Sequence, residues 1–82
     1  MKSAEEIRKA VIKGIQTVTE KERIALEDGQ TFENFGLDSL DRMALMLEVE
    51  KYLGLDFGEK NPDDIRTIQD FIQYIQQHWP EA

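Results

Sequence analysis

Apolar residues recur at helical spacing near both ends of the chain. Toward the N-terminus, apolar residues four, four and three positions apart predict a helix from about Ala4 to Val18. Ser3 and Glu6 fit a capping box at its start, in which each side chain binds a backbone N–H group. Toward the C-terminus, a similar stripe predicts a helix that begins at Thr67, with Asp70 three residues later as a box-like cap, and ends before Pro80. The two stripes are Ile7, Val11, Ile15 and Val18, and Ile68, Phe71, Ile72, Ile75 and Trp79.

The middle of the chain predicts a long connection followed by another helix. The connection runs from about Lys21 to Asp38 and includes the turn signal Asp28-Gly29. Because a structureless loop of this length is unusual in a compact domain, we expect its apolar side chains to pin it, with one short helical turn. The helix runs from Ser39 or Leu40 to Leu53, and Gly54 follows at the position of a left-handed cap. The apolar residues of the connection are Ile24, Leu26, Phe32, Phe35 and Leu37.

Asn61 and Pro62 form a compact helix start, with asparagine as the cap and proline at the first helical position. They predict a single short turn of helix that ends near Ile65 or Arg66. No segment alternates apolar and polar residues with period two, so we expect no sheet. The predicted fold is all-α: a small four-helix bundle with three main helices, one short helix and a long first loop, as a single domain over residues 1–82.

The helix after the connection carries apolar residues on two opposite faces. On a helical wheel of about 100° per residue, one face is wide enough to cover a small core. Two interpretations of the other face remain open: the remaining helices wrap around it, or it is an exposed patch that docks a partner. The core face contains Leu45, Met46, Val49 and Leu53, the opposite face contains Leu40, Met43, Ala44 and Leu47, and Asp41 and Glu48 fill one gap between the two faces.

The formal net charge of −7 would repel phosphate backbones and anionic lipid surfaces, so we expect no nucleic-acid partner. The longest apolar run, Met43 to Leu47, is far too short to span a bilayer, and we expect no stable membrane insertion. Residues 1–6 are polar and lack the apolar region of a signal peptide. Since nothing points to export, we expect a protein of the cytoplasm. We also expect it to be a monomer.

Ser39 opens the helix after the connection, and a structural role explains it most simply. Serine is a favoured N-cap residue, although Asp38 could serve instead. A catalytic role would need a base within hydrogen-bond reach, and the single histidine, His78, lies on the terminal helix. Asp38 and Asp41 alone make a poor metal site, because a dedicated cation site needs further spaced oxygens. We therefore expect neither an enzyme nor a metal site.

A helix start is nevertheless a favourable place for a phosphate ester. Its unpaired N–H groups and the positive end of the helix dipole stabilise anionic oxygens. A serine at that position is exposed, and a group attached to it leaves the helix intact. Ser39 therefore suits the attachment of an anionic group as well as capping.

The run Gly36-Leu37-Asp38-Ser39-Leu40, the helix after it and the terminal helix resemble the acyl carrier protein family. The order of elements also fits, and the resemblance covers nearly the whole chain. The tripeptide Asp-Ser-Leu is common by itself, but in a small, acidic and helical chain it is quite specific.

The resemblance implies that Ser39 carries a covalent 4′-phosphopantetheine arm, with Asp38 and Leu40 beside it in the cofactor-binding site. A phosphopantetheinyl transferase would move the arm from coenzyme A, using Mg²⁺ held at the transferase. The thiol of the arm would hold acyl intermediates as thioesters for fatty-acid, polyketide or related specialised synthesis, which fits a chain without cysteine. Acyl-transferring and synthase enzymes would dock on the second helix. The implied docking residues are Leu40, Asp41, Met43, Leu47 and Glu48, and the implied acyl pocket contains Leu45, Met46 and Ile68.

The docking helix departs from that of the most familiar fatty-acid carriers, which is strongly acidic. Arg42 and Lys51 interrupt it, and Ala44 stands where an acid is common. This departure favours a specialised carrier and puts more weight on apolar contacts with partners. The alternative hypothesis, from another class of protein, is an unmodified helical interaction module that uses the face of Leu40, Met43 and Leu47.

Overall fold

The computed structural model describes residues 2–58 and 64–80, which contain three α-helices. Helix α1 is Ala4–Thr19, α2 is Ser39–Leu53 and α3 is Ile68–His78. No strand occurs in the described ranges, and the predicted all-α fold with its long first loop is confirmed. None of these three helices is long and apolar enough to cross a membrane.

The start of α3 is joined to the first loop by backbone contacts. The backbone N–H of Phe32 donates to the carbonyl of Arg66 at 2.8 Å. Beside this bond, an isolated antiparallel β-bridge pairs Thr31 with Thr67. The short fourth helix predicted from Asn61 begins outside the described residues.

Two helix starts follow their predicted caps. At α1, Ser3 Oγ accepts a hydrogen bond from the backbone N–H of Glu6 at 3.1 Å, which is the serine half of the predicted box. At α3, Thr67 Oγ1 accepts from the backbone of Asp70 at 3.0 Å, and Asp70 Oδ2 accepts from the backbone of Thr67 at 3.2 Å. The second box is reciprocal, so it satisfies backbone donors that the first turn of a helix leaves unpaired.

Apolar side chains pin the long first loop, as the sequence predicts. Leu26, Phe32 and Leu37 are buried in the core. The expected short helical turn takes the form of consecutive turns over residues 32–36. The loop therefore packs on the core through these side chains without forming an α-helix of its own.

Gly14 allows a close approach between α1 and α2. A β-carbon at this position would lie 2.7 Å from Cδ1 of Leu45, closer than real β-carbons come to a neighbour. Glycine costs a helix roughly 1 kcal/mol relative to alanine, and here it gives α2 room to turn its apolar face toward α1. The largest fully buried side chains are Ile7, Val11, Ile15, Phe32, Leu37, Leu45, Val49, Ile68, Phe71 and Ile75.

A bidentate ion pair ties the first loop to α1. Nε and Nη2 of Arg8 donate to Oδ1 and Oδ2 of Asp28, at 2.9 and 2.6 Å. The hydrogen bonds from Arg8 hold the pKa of the Asp28 carboxyl below its ordinary value, against the opposing effect of burial. The carbonyl of Asp28 also accepts from the backbone of Gln69 at 3.0 Å, so the pair lies where the loop meets α3.

We expect Asp28→Asn to remove a pH-dependent part of the stability. Because the folded pKa of Asp28 is lowered, the ion pair stabilises the fold above the unfolded value of about 3.9 and this contribution is lost as the pH falls through the folded value. The free energy of unfolding in urea should therefore differ between wild type and variant at about pH 7, and the difference should shrink below about pH 4. Glu27→Gln, at an exposed neighbour, is the control. A difference that is independent of pH would contradict this role.

Candidate functional site

Helix α2 is capped by Asp38, and Ser39 is its first helical residue. Asp38 Oδ1 accepts a hydrogen bond from the backbone N–H of Asp41 at 2.9 Å. In return, Asp41 Oδ2 accepts from the backbone N–H of Asp38 at 3.4 Å. The sequence offers both Ser39 and Asp38 as N-cap residues, and the structure shows that Asp38 is the N-cap. The exposed Ser39 side chain is therefore not needed to cap the helix.

The segment before Ser39 is held in place by a buried side chain and a backbone hydrogen bond. Leu37 is buried, and its backbone N–H donates to the carbonyl of Phe32 at 2.9 Å. Gly36 has φ +104°, a conformation that residues with a β-carbon rarely adopt. The loop therefore enters α2 from a buried anchor, and Ser39 lies two residues beyond that anchor on the surface.

Arg42 lies beside the hydroxyl of Ser39. Its Nη2 donates to Ser39 Oγ at 3.3 Å, across the three-residue spacing that brings side chains to one helix face. A guanidinium donates hydrogen bonds but accepts no proton, so this contact does not activate Ser39 as a nucleophile. The sequence pattern marks Arg42 only as a break in the acidity of the helix, although its spacing from Ser39 was a signal for the contact.

The surroundings of Ser39 fit a phosphate ester. Its hydroxyl is exposed, the cap is complete without it, and a cation lies at hydrogen-bond distance. The start of α2 adds the positive end of the helix dipole. Within residues 2–58 and 64–80, no group of three histidine, cysteine or carboxylate side chains is placed to hold a metal ion. The exposed hydroxyl, the complete cap and the neighbouring cation favour the acceptance of an anionic group at this serine.

Helix α2 has one buried and one exposed apolar face. The exposed fractions are 75% at Leu40, 54% at Met43 and 59% at Leu47. The other described helices therefore do not wrap around this face, which we call the apolar patch. The opposite face is buried, as predicted, at Leu45, Met46 and Val49.

The charges on α2 are mixed in sign. Asp41 and Glu48, which the helical wheel places between the two apolar faces, are both half-buried. Glu48 pairs with Lys51 at 3.6 Å. The same wheel places Lys51 on the side of the apolar patch, so both signs of charge occur beside this patch rather than acids alone.

The three residues of the implied acyl pocket belong to one buried cluster. Leu45, Met46 and Ile68 all pack in the hydrophobic core, and Leu45 and Ile68 are fully buried. Two open clefts that the structure describes along α1 are lined by other side chains. An acyl chain would enter this cluster only if core side chains moved apart.

Comparison with protein families matches residues 9–75 to the family described as "Phosphopantetheine attachment site". The chain is 32% identical over 80 residues to an acyl carrier protein of Rickettsia bellii (strain RML369-C), over 95% of this chain and 92% of that protein. It is 30% identical over 63 residues to an acyl carrier protein of Phytoplasma mali (strain AT), over 77% and 74% of the two chains. A Zymomonas mobilis acyl carrier protein is 28% identical over 76 residues, with 93% and 94% covered. No solved structure matches.

The family match extends over most of the chain and includes the start of α2. Its description makes phosphopantetheine the prosthetic group of the chain. Proteins of this kind carry intermediates and are not catalysts themselves, and they work together with transferase and synthase enzymes. With this match and with similarity to carrier proteins along most of its length, the chain belongs to the acyl carrier protein family.

Proposed function

We propose that Ser39 is the attachment point of 4′-phosphopantetheine and that residues 1–82 form one acyl-carrier domain. The observation that carries this proposal is the complete cap of α2. Asp38 and Asp41 satisfy the helix start between them, so the exposed Ser39 hydroxyl can be esterified without the loss of a cap. The family match supports the same position, because residues 9–75 include Ser39.

Attachment makes Ser39 the acceptor in a group transfer from coenzyme A. Ser39 Oγ forms a bond to the phosphorus that bears the pantetheine group, the phosphoric anhydride bond breaks, and adenosine 3′,5′-bisphosphate leaves with the electron pair. The hydroxyl proton passes to a base of the transferase, because the side chain described at Ser39 Oγ is a guanidinium. Once bound, the group supplies the thiol that this cysteine-free chain lacks, and the thiol carries acyl groups as thioesters.

The apolar patch is the surface on which we propose that partner enzymes dock. Leu40, Met43 and Leu47 are exposed and lie on the helix that Ser39 begins. A partner that covers them also comes close to the attachment point, which brings its own active site to the arm. Asp41 and Glu48 lie at the border of this surface, where they set the orientation of a partner more than its affinity. The partners are the phosphopantetheinyl transferase and enzymes that transfer or synthesise acyl groups.

The mixed charge of α2 supports a specialised carrier over a housekeeping fatty-acid carrier. Arg42 and Lys51 weaken the steering of basic partner surfaces, so apolar contact supplies more of the affinity. We therefore propose a polyketide, lipid or amino-acyl pathway, with the chain as a monomer in the cytoplasm. The cluster of Leu45, Met46 and Ile68 is the proposed place for a sheltered acyl chain, which would part these side chains.

Incubation with coenzyme A, Mg²⁺ and a broad-specificity phosphopantetheinyl transferase should add one phosphopantetheine mass to the wild-type chain. The serines of the chain are Ser3 and Ser39, so Ser3→Ala is the matched control and should gain the same mass. Ser39→Ala should gain none, because the attachment oxygen is removed. Intact-protein mass spectrometry measures all three chains.

A wild-type chain that gains no mass, or a Ser39→Ala chain that gains it, would overturn the proposed attachment. The first result would favour the second candidate function, an unmodified interaction module. The exposed apolar patch supports that candidate, because such a module would bind its partners through the same surface.

Met43→Asp and Leu47→Asp should weaken docking more than folding. Both side chains are exposed, so each change should alter the free energy of unfolding by less than about 0.5 kcal/mol. The apparent KM of the transferase for the carrier should rise about tenfold, as for central apolar contacts of an interface. Gln73→Asp, at an exposed position of α3, controls for the added charge. A collapse of thermal stability in the patch variants would place these residues in the core instead.

A further inference from the structure

Arg42 is the cation that the structure places at the hydroxyl of Ser39. We propose that Arg42 is a positioning residue for the prosthetic arm: its guanidinium binds the phosphodiester formed on Ser39 and holds the first bonds of the arm against the start of α2. This inference rests on the proposed attachment at Ser39. It concerns what the chain does after attachment, which the cap of α2 alone does not determine.

The contact already exists in the chain without the arm. Nη2 of Arg42 and Oγ of Ser39 are 3.3 Å apart, which is long for a hydrogen bond between a cation and a hydroxyl. Esterification keeps Oγ in place and adds non-bridging oxygens that lie two bonds away from it. These oxygens carry a negative charge, so Nη2 of Arg42 gains a charged acceptor beside the neutral oxygen that it contacts now. Charge-assisted hydrogen bonds of this kind are roughly twice as strong as neutral ones.

The carboxylates next to Ser39 would repel a phosphodiester, and a nearby cation would offset this repulsion. Asp38 and Asp41 flank Ser39 in sequence, and their capping hydrogen bonds hold both carboxylates at the start of α2. A phosphodiester on Ser39 adds a further negative charge to the same turn. Like charges within one helical turn repel one another, and the positive charge of Arg42 offsets that repulsion. The arm is therefore drawn toward Arg42 and away from the two acids.

The side chain and its spacing suit this role. Ser39 and Arg42 are the first and fourth residues of α2, and residues three apart lie on one face of a helix. Arginine is planar and presents several N–H donors in a fixed fork that matches phosphate oxygens, whereas lysine acts as a point charge. Lys51 provides a comparison, because it lies in the last turn of the same helix, is largely exposed and pairs with Glu48.

The test compares each chain with and without its arm. Wild type, Arg42→Gln, Arg42→Lys and the control Lys51→Gln are each prepared unloaded and fully loaded. Loading is covalent and is carried to completion, as verified by intact mass, so slow loading of a variant does not affect the comparison. The unfolding equilibrium constant in urea and the ³¹P chemical shift of the loaded chains are then measured at low salt and at about 1 M salt.

We expect loading to favour the folded state of wild type relative to Arg42→Gln by about threefold, or roughly 0.7 kcal/mol at 1.4 kcal/mol per factor of ten. The ³¹P shift should differ between these two chains at low salt and converge at high salt, because the contact is exposed to solvent. Arg42→Lys should retain part of both effects, and Lys51→Gln should behave as wild type.

Equal effects of loading in wild type and Arg42→Gln, with the same ³¹P shift, would overturn the role of Arg42 and leave the attachment at Ser39 intact. The same holds if Lys51→Gln loses as much as Arg42→Gln, because the effect would then be one of net charge. Failure of the wild-type chain to gain the phosphopantetheine mass is a different result, and it would remove the proposed attachment itself.

Discussion

Two reciprocal hydrogen bonds between Asp38 and Asp41 determine how α2 begins, and the chemistry of the surface follows from them. A helix start needs partners for its first backbone N–H groups, and an N-cap side chain typically contributes about 1 kcal/mol. If Ser39 supplied that partner, an ester on its oxygen would disturb the cap. Because Asp38 supplies it, the hydroxyl of Ser39 is exposed and remains available for attachment.

The position of this helix start depends in turn on the core. Leu37 is buried directly before the cap, and Gly14 lets α1 approach Leu45 closely. These contacts turn one apolar face of α2 inward and leave the other at the surface. Ser39, the proposed attachment residue, and the apolar patch therefore belong to the same helix. A partner enzyme that docked on the patch, as we propose, would therefore lie close to the arm.

The sequence predicts much of this arrangement where the signal is local. Helical periodicity placed α1 and α3 within about two residues, and the caps at Ser3 and Thr67 follow from side chains three residues apart. The choice between Asp38 and Ser39 does not follow from the sequence, because both residue types are favoured N-caps and only the backbone conformation at the two positions decides between them. The pair of Arg8 with Asp28 spans 20 residues, and no periodic pattern reports such a contact.

The division of roles between Asp38 and Ser39 is tested most directly by their separate contributions to stability. The free energy of unfolding in urea is measured for Asp38→Ala, Asp38→Asn and Ser39→Ala in the chain without its arm. Asp38→Ala should lose about 1 kcal/mol, Asp38→Asn should retain most of the stability, and Ser39→Ala should change by less than about 0.5 kcal/mol. A loss in Ser39→Ala as large as that in Asp38→Ala would show that the serine is a cap after all.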